Sequence, residues 1–404
     1  MDMRTERTAP TERAEGPVTG TGPDGIVVIV DQCIPRPDQD SGSVRLSRVI
    51  DQLRELRRPV LFCPLDGQAP EPYATRLREQ GVALLRDPAQ QRRFLREQGH
   101  RIVLALLCRP QPAIQLLGDL RDHAPHCRVV YDTVDVHFRR LARQADLSAR
   151  EGRADRFTLR AQAEATRALE LLLVRESDTT LVVSDEERRL LTSLVPEADV
   201  RVLSNIHSRV GTGAPPAPGA RVLFVGHYLH APNVDAAQWL AREIMPLVRR
   251  EVPEATLDLV GSAAPEAVTA LAGQGVVVHG WVEDLAPLYA RARVAVAPLR
   301  YGAGVKGKVG QALEYGVPVA GTSIAFEGMG LVHDRHVLAG DTARDLAGHI
   351  VRLVRDDELC ARLTRAAAGQ LAARFGPAHA RAVLDDLLSP RATPPRADRP
   401  AVRI

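Results

Sequence analysis

Short apolar runs alternate with helical segments along most of this 404-residue chain. The first run covers residues 26–30, a helical stretch follows at 44–56, and the same order recurs through both halves of the sequence. Apolar runs of this length are typical of strands that are buried on both faces of a sheet. Strands that alternate with helices therefore predict an α/β fold built on parallel sheets.

The other predicted strands fall into two groups. They are residues 59–63, 82–85, 102–107, 128–131 and 180–183 in the first half, and 222–225, 256–260, 276–278, 294–297 and 317–320 in the second. A long helical region is predicted at 141–177, and shorter helices are predicted at 233–248 and 309–315.

A Pro/Gly-rich segment at residues 211–219 separates the two halves and is typical of a linker. Two α/β units joined by one linker favour a ligand cleft between them. The expected organisation is a disordered N-terminal tail at 1–24, a first domain at 25–207, a linker at 208–220, a second domain at 221–388 and a disordered C-terminal tail at 389–404.

The charge balance and the cysteines exclude several classes of protein. A net charge of +3 over 53 basic and 50 acidic residues gives no argument for nucleic acid as a partner. Five scattered cysteines without a C-x-x-C pair favour reduced thiols in a cytoplasmic protein and give no sign of a metal site. The first 24 residues hold no signal-peptide core, and no apolar run approaches the ~18 residues of a spanning helix.

Membrane contact of a peripheral kind stays open. Residues 139–178 carry nine arginines against seven acidic residues, which is compatible with a surface at the inner face of the membrane. A solvated helix face is the more ordinary interpretation of the same pattern.

A glycine-rich loop carries the strongest functional signal. It follows the apolar run at 294–297, contains Gly302, Gly304 and Gly307, and places Lys306 and Lys308 just before a predicted helix. A helix N-terminus with unpaired backbone N–H groups attracts anions, and two ammonium groups strengthen that attraction. The loop therefore predicts a site for a phosphate or diphosphate.

The same letters also spell the dinucleotide fingerprint G-x-G-x-x-G, with Glu327 twenty residues after Gly307. That fingerprint normally occupies the first strand–helix turn of its domain. Here the loop follows the fourth predicted strand of the second half, whereas the first turn, residues 226–233, contains only Gly226. The position disfavours NAD or flavin, and two lysines have little packing purpose in a purely structural turn.

Motifs in both halves resemble those of the group 1 glycosyltransferases. In the second half they are FVG (224–226), PNVD (232–235), GWVEDL (280–285), GAGVKGK (302–308), GVPV (316–319) and EG (327–328). In the first half PRPD (35–38), SGSVR (41–45), YDTVDVHF (131–138) and VSDEE (183–187) resemble a bacterial subset that acts in polysaccharide assembly. The resemblance implies the GT-B fold, in which two Rossmann-like domains face a cleft.

The activity implied by the resemblance is that of a retaining, metal-independent, hexosyltransferase-like enzyme. It would move a sugar from a nucleoside-diphosphate sugar to a saccharide or lipid-linked acceptor, with no cofactor beyond the donor itself. Lys306 and Lys308 would stabilise the departing diphosphate, which is electrostatic catalysis.

The resemblance also implies binding roles. In the donor domain, Gly226, Gly302, Gly304 and Gly307 would approach the diphosphate, and Val282 would lie in the segment that borders the base. Glu327 and Gly328 would lie near the sugar and phosphates.

In the acceptor-side domain, Gly42 and Ser43 fall in the loop after the first strand, near both substrates. His137 matches a position close to the reacting sugar, where it could donate to a hydroxyl or orient the acceptor. A surface or capping histidine is the plainer alternative.

One departure from the family pattern concerns the ribose. Two glutamates are usual eight residues apart, and here those positions are Ala303 and Gln311. Gln311 can hydrogen-bond a hydroxyl pair but brings no charge. Two alternatives therefore stay open: a non-catalytic protein that binds a nucleotide sugar or scaffolds partners, and another enzyme on the same plan, such as a sugar-nucleotide epimerase or a dinucleotide-dependent enzyme.

Overall fold

A computed structural model describes residues 25–208 and 217–389 and shows two parallel sheets covered by helices. The predicted tail at 1–24, residues 390–404 of the predicted C-terminal tail, and residues 209–216 of the predicted linker lie outside the described residues. The predicted α/β fold with two Rossmann-like domains is confirmed.

The first domain holds a seven-stranded sheet of order β3-β2-β1-β4-β5-β6-β7. The strands are β1 Ile26–Asp31, β2 Val60–Pro64, β3 Ala83–Leu84, β4 Ile102–Cys108, β5 Arg128–Asp132, β6 Thr179–Val182 and β7 Val200–Val202. The helices are α1 Ser41–Glu55, α2 Tyr73–Glu79, α3 Pro88–Gln98, α4 Pro110–His123, α5 His137–Arg150, α6 Arg156–Glu176 and α7 Asp185–Leu194.

The second domain holds a six-stranded sheet of order β10-β9-β8-β11-β12-β13. The strands are β8 Arg221–Val225, β9 Thr256–Val260, β10 Val276–Gly280, β11 Val294–Ala297, β12 Val319–Gly321 and β13 Leu338–Ala339. The helices that follow β8 along the chain are α8 Ala231–Trp239, α9 Met245–Glu251, α10 Glu266–Thr269, α11 Ala286–Arg291, α12 Gly307–Glu314, α13 Ser323–Phe326, α14 Ala343–Arg355, α15 Asp357–Phe375 and α16 Pro377–Leu388.

Strand β1 shows why the apolar runs become central strands. All six of its residues are buried, and it pairs in parallel with β2 on one side and β4 on the other. Val28 packs in the apolar cluster on one face of the sheet, whereas Val27 and Ile29 pack in the cluster on the opposite face. A strand with helices on both faces has no solvent side, which explains its continuous apolar sequence.

Several predicted elements differ from the observed ones. The long helical region is two helices, α5 and α6, and the helix predicted at 233–248 is α8 and α9 joined by a π-helical turn, Leu240–Ile244. Strands β7 and β13, of three and two residues, were not predicted.

The last helix, α16, returns to the first domain. Its buried residues Ala380, Leu384 and Leu387 belong to the apolar cluster of the first sheet, although the range 221–388 assigned them to the second domain. The chain thus passes between the domains twice, once after His207 and once after Phe375. These two residues are in contact: the backbone N–H of His207 donates to the carbonyl of Phe375 at 2.7 Å, and the two rings meet edge to face.

None of the helices within the described ranges is long and apolar enough to span a bilayer.

Candidate active site

A cleft of about 430 Å³ lies between the domains, at the carboxyl ends of both sets of strands. In each sheet the strand order reverses between two neighbours, β1 and β4 in the first domain and β8 and β11 in the second. Loops that leave neighbouring strands in opposite directions open a crevice at that point, and ligands of open α/β sheets bind there. The loops after these four strands all line the cleft.

Helix α12 points its N-terminus into this cleft. It begins at Gly307 with Lys306 as its N-cap, and neither position supplies a capping side chain. The first N–H groups of a helix have no partner inside it, so an uncapped N-terminus at a cleft is suited to an anion. The glycine loop follows β11, the fourth strand of the second domain, as the sequence predicted.

The Lys308 ammonium is held by neutral groups. Its Nζ donates to the side-chain oxygen of Asn233 at 2.5 Å and lies 4.4 Å from the centre of the Phe224 ring. Burial, and then repulsion from Lys306, lower the pKa of Lys308 to about 7. An anion in the cleft would supply the counter-charge that these partners lack.

The Lys306 ammonium has a different environment. It donates to the backbone carbonyls of Ala303 and Gly304 at 2.9 and 2.5 Å, which closes the glycine loop upon itself. Burial lowers the pKa of Lys306 to about 8, although Glu327 and Glu187 favour its charged form. Lys306 therefore both shapes the loop and adds positive charge to the cleft.

The amino-acid composition sets these two residues apart, independently of the motifs. The chain contains 53 Lys and Arg residues, and Lys306 and Lys308 are the only lysines among them. Arginine serves at all the other basic positions, so a general need for surface charge does not account for these two. A compact ammonium fits a narrow space between a ring and an amide, whereas a planar guanidinium does not.

The loop glycines are placed where a side chain could not fit. Gly304 has a φ of +68°, and a Cβ there would lie 2.9 Å from the Cβ of Asp135 in the first domain. A Cβ on Gly307 would overlap Ser41 at the start of α1. Gly302 also lines the cleft, and its φ is +156°. The glycines thus let the second domain approach the first directly.

Gly226 and Val282 line the cleft on the second domain. A Cβ on Gly226 would lie 3.0 Å from the side-chain carbon of Asn233, the residue that holds Lys308. Next to Val282, the indole N–H of Trp281 donates to Asp38 of the first domain at 2.9 Å. The predicted base-bordering segment therefore forms a rim that touches both domains.

Gln311 lies one turn after the N-terminus of α12 and lines the cleft. Its side-chain oxygen accepts a hydrogen bond from the Tyr289 hydroxyl at 3.3 Å, and the Tyr289 ring stacks on Tyr315. Tyr289 takes one of the two lone pairs of the Gln311 oxygen, and the other lone pair and the amide N–H groups remain to meet a ligand.

His137 is the first residue of α5 and lines the cleft. Its Nδ1 lies 2.8 Å from the carbonyl of Asp135, so Nδ1 carries the proton because a carbonyl only accepts. Although burial acts to lower it, the Asp135 and Glu170 carboxylates raise the pKa of His137. In the neutral ring Nε2 has a lone pair to accept from a sugar hydroxyl, and in the protonated ring, which the raised pKa favours, Nε2 donates to one.

The two residues of the EG motif are placed differently from the prediction. Glu327 accepts from Arg139 at 2.5 Å and from Arg143 at 2.6 Å, and neither Glu327 nor Gly328 is among the residues that line the cleft. Although burial acts to raise it, Arg143 and Arg139 hold the pKa of Glu327 below its usual value. A Cβ on Gly328 would lie 2.7 Å from the Cβ of Ser184, so both residues serve the contact between the domains.

Gly42 and Ser43 belong to the first turn of α1, because this helix begins at Ser41 and not at Val44. Gly42 lines the cleft, but Ser43 is buried. Its N–H and hydroxyl both donate to the Asp40 carboxylate, at 2.8 and 2.6 Å, which caps the helix.

Two cleft residues that were given no role from the sequence have unusual backbones. Arg109 and Val134, which follow β4 and β5, have φ values of +67° and +62°. Such values are strained for residues other than glycine, and for a β-branched side chain above all. Arg109 pairs with the buried Asp31 at the end of β1, so its guanidinium is held in place on the first domain's side of the cleft.

Two more histidines face the cleft after β8. His227 Nδ1 lies 2.6 Å from the Ser262 hydroxyl. Burial, and then the Arg140 charge, lower the pKa of His230 to about 4, so this ring is neutral at pH 7. Within residues 25–208 and 217–389, no group of three or more His, Cys, Asp or Glu side chains is placed to hold a metal ion.

Comparison with known proteins identifies the second domain. Residues 219–356 match the family model described as Glycosyl transferases group 1. A protein of Klebsiella pneumoniae, described as an uncharacterized 44.6 kDa protein in the cps region, is 27% identical over 139 residues. That match spans 32% of this chain and about a third (36%) of the relative's length.

Solved structures extend the likeness to both domains. Sucrose-phosphate synthase of Thermosynechococcus elongatus has a TM-score of 0.65 at 15% identity, over 90% of this chain and 98% of that one. HepE of Anabaena, in complex with UDP and glucose, has a TM-score of 0.65 at 14% identity, over 90% and 99%. TarM has a TM-score of 0.58 at 11% identity; the alignment covers 71% of this chain and about half (55%) of TarM.

At these identities the structural likeness establishes the fold. The chain has the GT-B architecture, which confirms the prediction of two Rossmann-like domains that face a cleft. Residues 219–356 of its second domain are similar to the group 1 glycosyltransferases.

Proposed function

We propose that the protein is a retaining glycosyltransferase that moves a sugar from a nucleoside-diphosphate sugar to a saccharide or lipid-linked acceptor. The observation that carries this proposal is the Lys308 ammonium, held by an amide oxygen and an aromatic ring beside the open N-terminus of α12. A buried lysine without an opposing carboxylate favours its neutral form until an anion supplies the counter-charge, so its place at an open helix N-terminus supports an anion site. HepE and a TarM variant were both solved with UDP bound, which supports a nucleoside diphosphate as that anion.

The chemistry follows from where negative charge develops. The acceptor hydroxyl oxygen forms a bond to the anomeric carbon while the bond from that carbon to the diphosphate oxygen breaks. Lys306, Lys308 and the α12 N-terminus stabilise the charge that grows on the leaving diphosphate. The hydroxyl proton passes to a diphosphate oxygen on the same face of the sugar, and the configuration is retained.

The acceptor would enter from the first domain. His137 Nε2 offers a lone pair for a sugar hydroxyl, and the Arg109 guanidinium lies on the same side of the cleft. We place the reaction in the synthesis of a cell-surface polysaccharide or glycoconjugate, because the Klebsiella relative is described from a cps region. The proposal sets the enzyme in the cytoplasm, with peripheral contact at the inner membrane face where the acceptor is lipid-linked.

The test has two stages. First, the protein is titrated with UDP, GDP, ADP and NAD by calorimetry, and one nucleoside diphosphate is expected to bind more tightly than NAD. Second, the sugar nucleotides with that base are incubated with the protein and with saccharide extracts, and the anomeric coupling of the product is read by NMR. Tight binding of NAD alone would overturn the proposal, and an inverted product would overturn the retaining mechanism.

A second function is favoured by one observation. Ala303 and Gln311 occupy the two positions where the family usually has glutamates, and the Gln311 oxygen is already engaged by Tyr289. A protein that binds a nucleotide sugar without transferring it would fit these residues. Binding of a nucleoside diphosphate without hydrolysis or transfer, even with acceptor extracts, would favour this alternative. Interconversion of the free sugar nucleotide would instead indicate an epimerase.

A further inference from the structure

A buried glutamate of the first domain, Glu187, reaches into the glycine loop of the second. It lies in the first turn of α7 and is 1% exposed. Its backbone N–H donates to the Ser184 hydroxyl at 3.2 Å, which is half of a capping box. In a complete capping box the glutamate would turn back to the N–H of Ser184 itself. Glu187 instead extends away from its own helix.

The carboxylate accepts three backbone N–H groups from three separate loops. Oε1 accepts from Val136 at 3.1 Å and from Gly304 at 3.0 Å, and Oε2 accepts from Val183 at 3.3 Å. Burial raises the pKa of Glu187 to about 7, and hydrogen bonds to its ionised form are about twice as strong as those between neutral groups. One side chain therefore fixes the loops after β5, β6 and β11 relative to one another.

The two loops joined at Oε1 carry the proposed chemistry. Val136 immediately precedes His137 on the acceptor side, and Gly304 is the central glycine of the donor loop. Arg143, from the same helix as His137, donates to the Gly302 carbonyl at 2.7 Å and so holds the other end of that loop. Contacts from the first domain therefore hold the diphosphate loop at both ends, in addition to the Lys306 contacts within it.

We propose that Glu187 is a positioning residue: its carboxylate sets the distance between His137 on the acceptor side and the diphosphate loop on the donor side. This inference rests on the proposed function, because it assigns the geometry of that same site. It predicts that the glycine loop takes its binding form only when the domains meet at Glu187. A residue that only stabilises α7 would have no such effect on the second domain.

The test compares Glu187→Ala with Glu186→Ala in the full-length protein. Glu186 is the matched control, because it lies in the same helical turn, has a 40% exposed side chain and pairs only weakly with Arg189 at 3.7 Å. UDP affinity is measured by calorimetry at a temperature at which both variants are fully folded, with GDP and ADP as alternative probes. Loss of a charge-assisted contact in Glu187→Ala is expected to weaken binding about tenfold or more, and Glu186→Ala should match the wild type.

A second readout separates positioning from stability. Amide hydrogen exchange of the peptide that contains residues 302–308 should slow on UDP binding in the wild type and in Glu186→Ala, but not in Glu187→Ala. Glu187→Gln keeps one carbonyl acceptor for Val136 and Gly304, so it is expected to fall between the two. Should the alanine variant not fold, the glutamine variant carries the same comparison.

The outcomes distinguish the two proposals. Failure of the wild type to bind any of the three diphosphates would overturn the proposed function. The role of Glu187 alone would be overturned if the wild type binds UDP and the Glu187 variant, whether Glu187→Ala or Glu187→Gln, matches Glu186→Ala in affinity and in loop protection. A lower melting temperature without any change of affinity would also overturn it, since that is the result of a merely structural role.

Discussion

The Lys308 ammonium lies 4.4 Å above the centre of the Phe224 ring, which places a full charge against the face of a neutral aromatic group. The negative face of the ring stabilises the cation without neutralising it. The charge remains available to a ligand, whereas a carboxylate partner would have cancelled it. The proton on this nitrogen is therefore sensitive to what occupies the cleft.

Binding of UDP is expected to take up protons near neutral pH. The pKa values of Lys308 and Lys306 are about 7 and 8 in the empty cleft, and a diphosphate favours the ammonium form of both. Affinity should therefore fall as the pH rises above about 7, by up to about tenfold per pH unit for each proton taken up. Calorimetry in buffers with different ionisation enthalpies measures the uptake, and an affinity independent of pH between about 6.5 and 8.5 would contradict the assignment.

The same titration can be observed directly. Because the chain has only two lysines, incorporation of ¹³C-labelled lysine gives two ε-methylene signals and no others. Both should titrate below the ordinary lysine pKa in the free protein and move upward when UDP is added. Lys306→Gln assigns the pair by removing one signal.

Replacement of Lys308 by arginine is expected to impair binding although the charge is kept. The guanidinium is longer and planar, and it cannot occupy the space between Phe224 and Asn233 without displacing one of them. We expect UDP affinity to fall about tenfold in Lys308→Arg and up to about 100-fold in Lys308→Ala. Arg344→Ala removes one exposed charge from the same domain and serves as the control. Equal affinities in all three variants would mean that α12 does not bind the diphosphate.

Gln311→Glu is expected to change the discrimination between ribose and deoxyribose. In the wild type, Tyr289 already takes one lone pair of the Gln311 oxygen, so loss of one ribose hydroxyl should cost little. A carboxylate accepts from ribose hydroxyls, and it pays a desolvation penalty when one is missing. The affinity ratio of UDP to 2′-deoxy-UDP should rise about tenfold in the variant. An unchanged ratio would place the ribose elsewhere.

Gly307→Ala tests the closed arrangement of the domains. Alanine favours a helix over glycine, so α12 itself should not be weakened. The new Cβ would overlap Ser41 of the first domain, and an overlap of this kind costs about 1–3 kcal/mol. Transfer should slow about tenfold or more, and the second substitution Ser41→Gly should restore it. Absence of rescue would show that the two helix N-termini do not meet during the reaction.

His137→Ala is expected to separate donor binding from transfer. The imidazole lies on the first domain, whereas the lysines that would hold the diphosphate lie on the second. Donor affinity should stay within about twofold while the transfer rate falls about 100-fold, in the range typical of a lost acid–base or orienting group. His126→Ala, outside the cleft, is the control. A parallel loss of donor affinity would place His137 against the donor instead.

The sequence predicted the central strands well, because a strand buried on both faces must be apolar throughout, as β1 shows. Strands β7 and β13 are short edge strands without the four-residue apolar run, 82–85, that indicated the equally short β3. The sequence also could not predict which domain α16 packs against. The spacing of Ala380, Leu384 and Leu387 indicates a buried face but does not indicate which of two cores buries it.

The site was predictable where it rests on local chemistry and unpredictable where it rests on contacts between domains. A glycine loop at a helix N-terminus is a local feature, and the structure brings Lys306, Lys308 and Gln311 to the cleft. Glu327 was expected beside the sugar, but Arg139 and Arg143 lie more than 180 residues away in the chain and bind its carboxylate. Glu187 reaches Gly304 across 117 residues, and no spacing rule connects them.

The hydrogen bond between His207 and Phe375 has a consequence for how the cleft can open. Two domains joined by a single segment of chain can rotate and twist freely about that segment. Here the chain passes between the domains twice, and this hydrogen bond joins His207 to Phe375 where the described residues approach the two crossings, so a twist of one domain against the other would strain it. The domains are therefore expected to open by a hinge rotation about an axis that passes near Ser208 and Gly376. The first domain is also interrupted in sequence by the second, so truncation before α16 would remove part of the apolar core of the first domain.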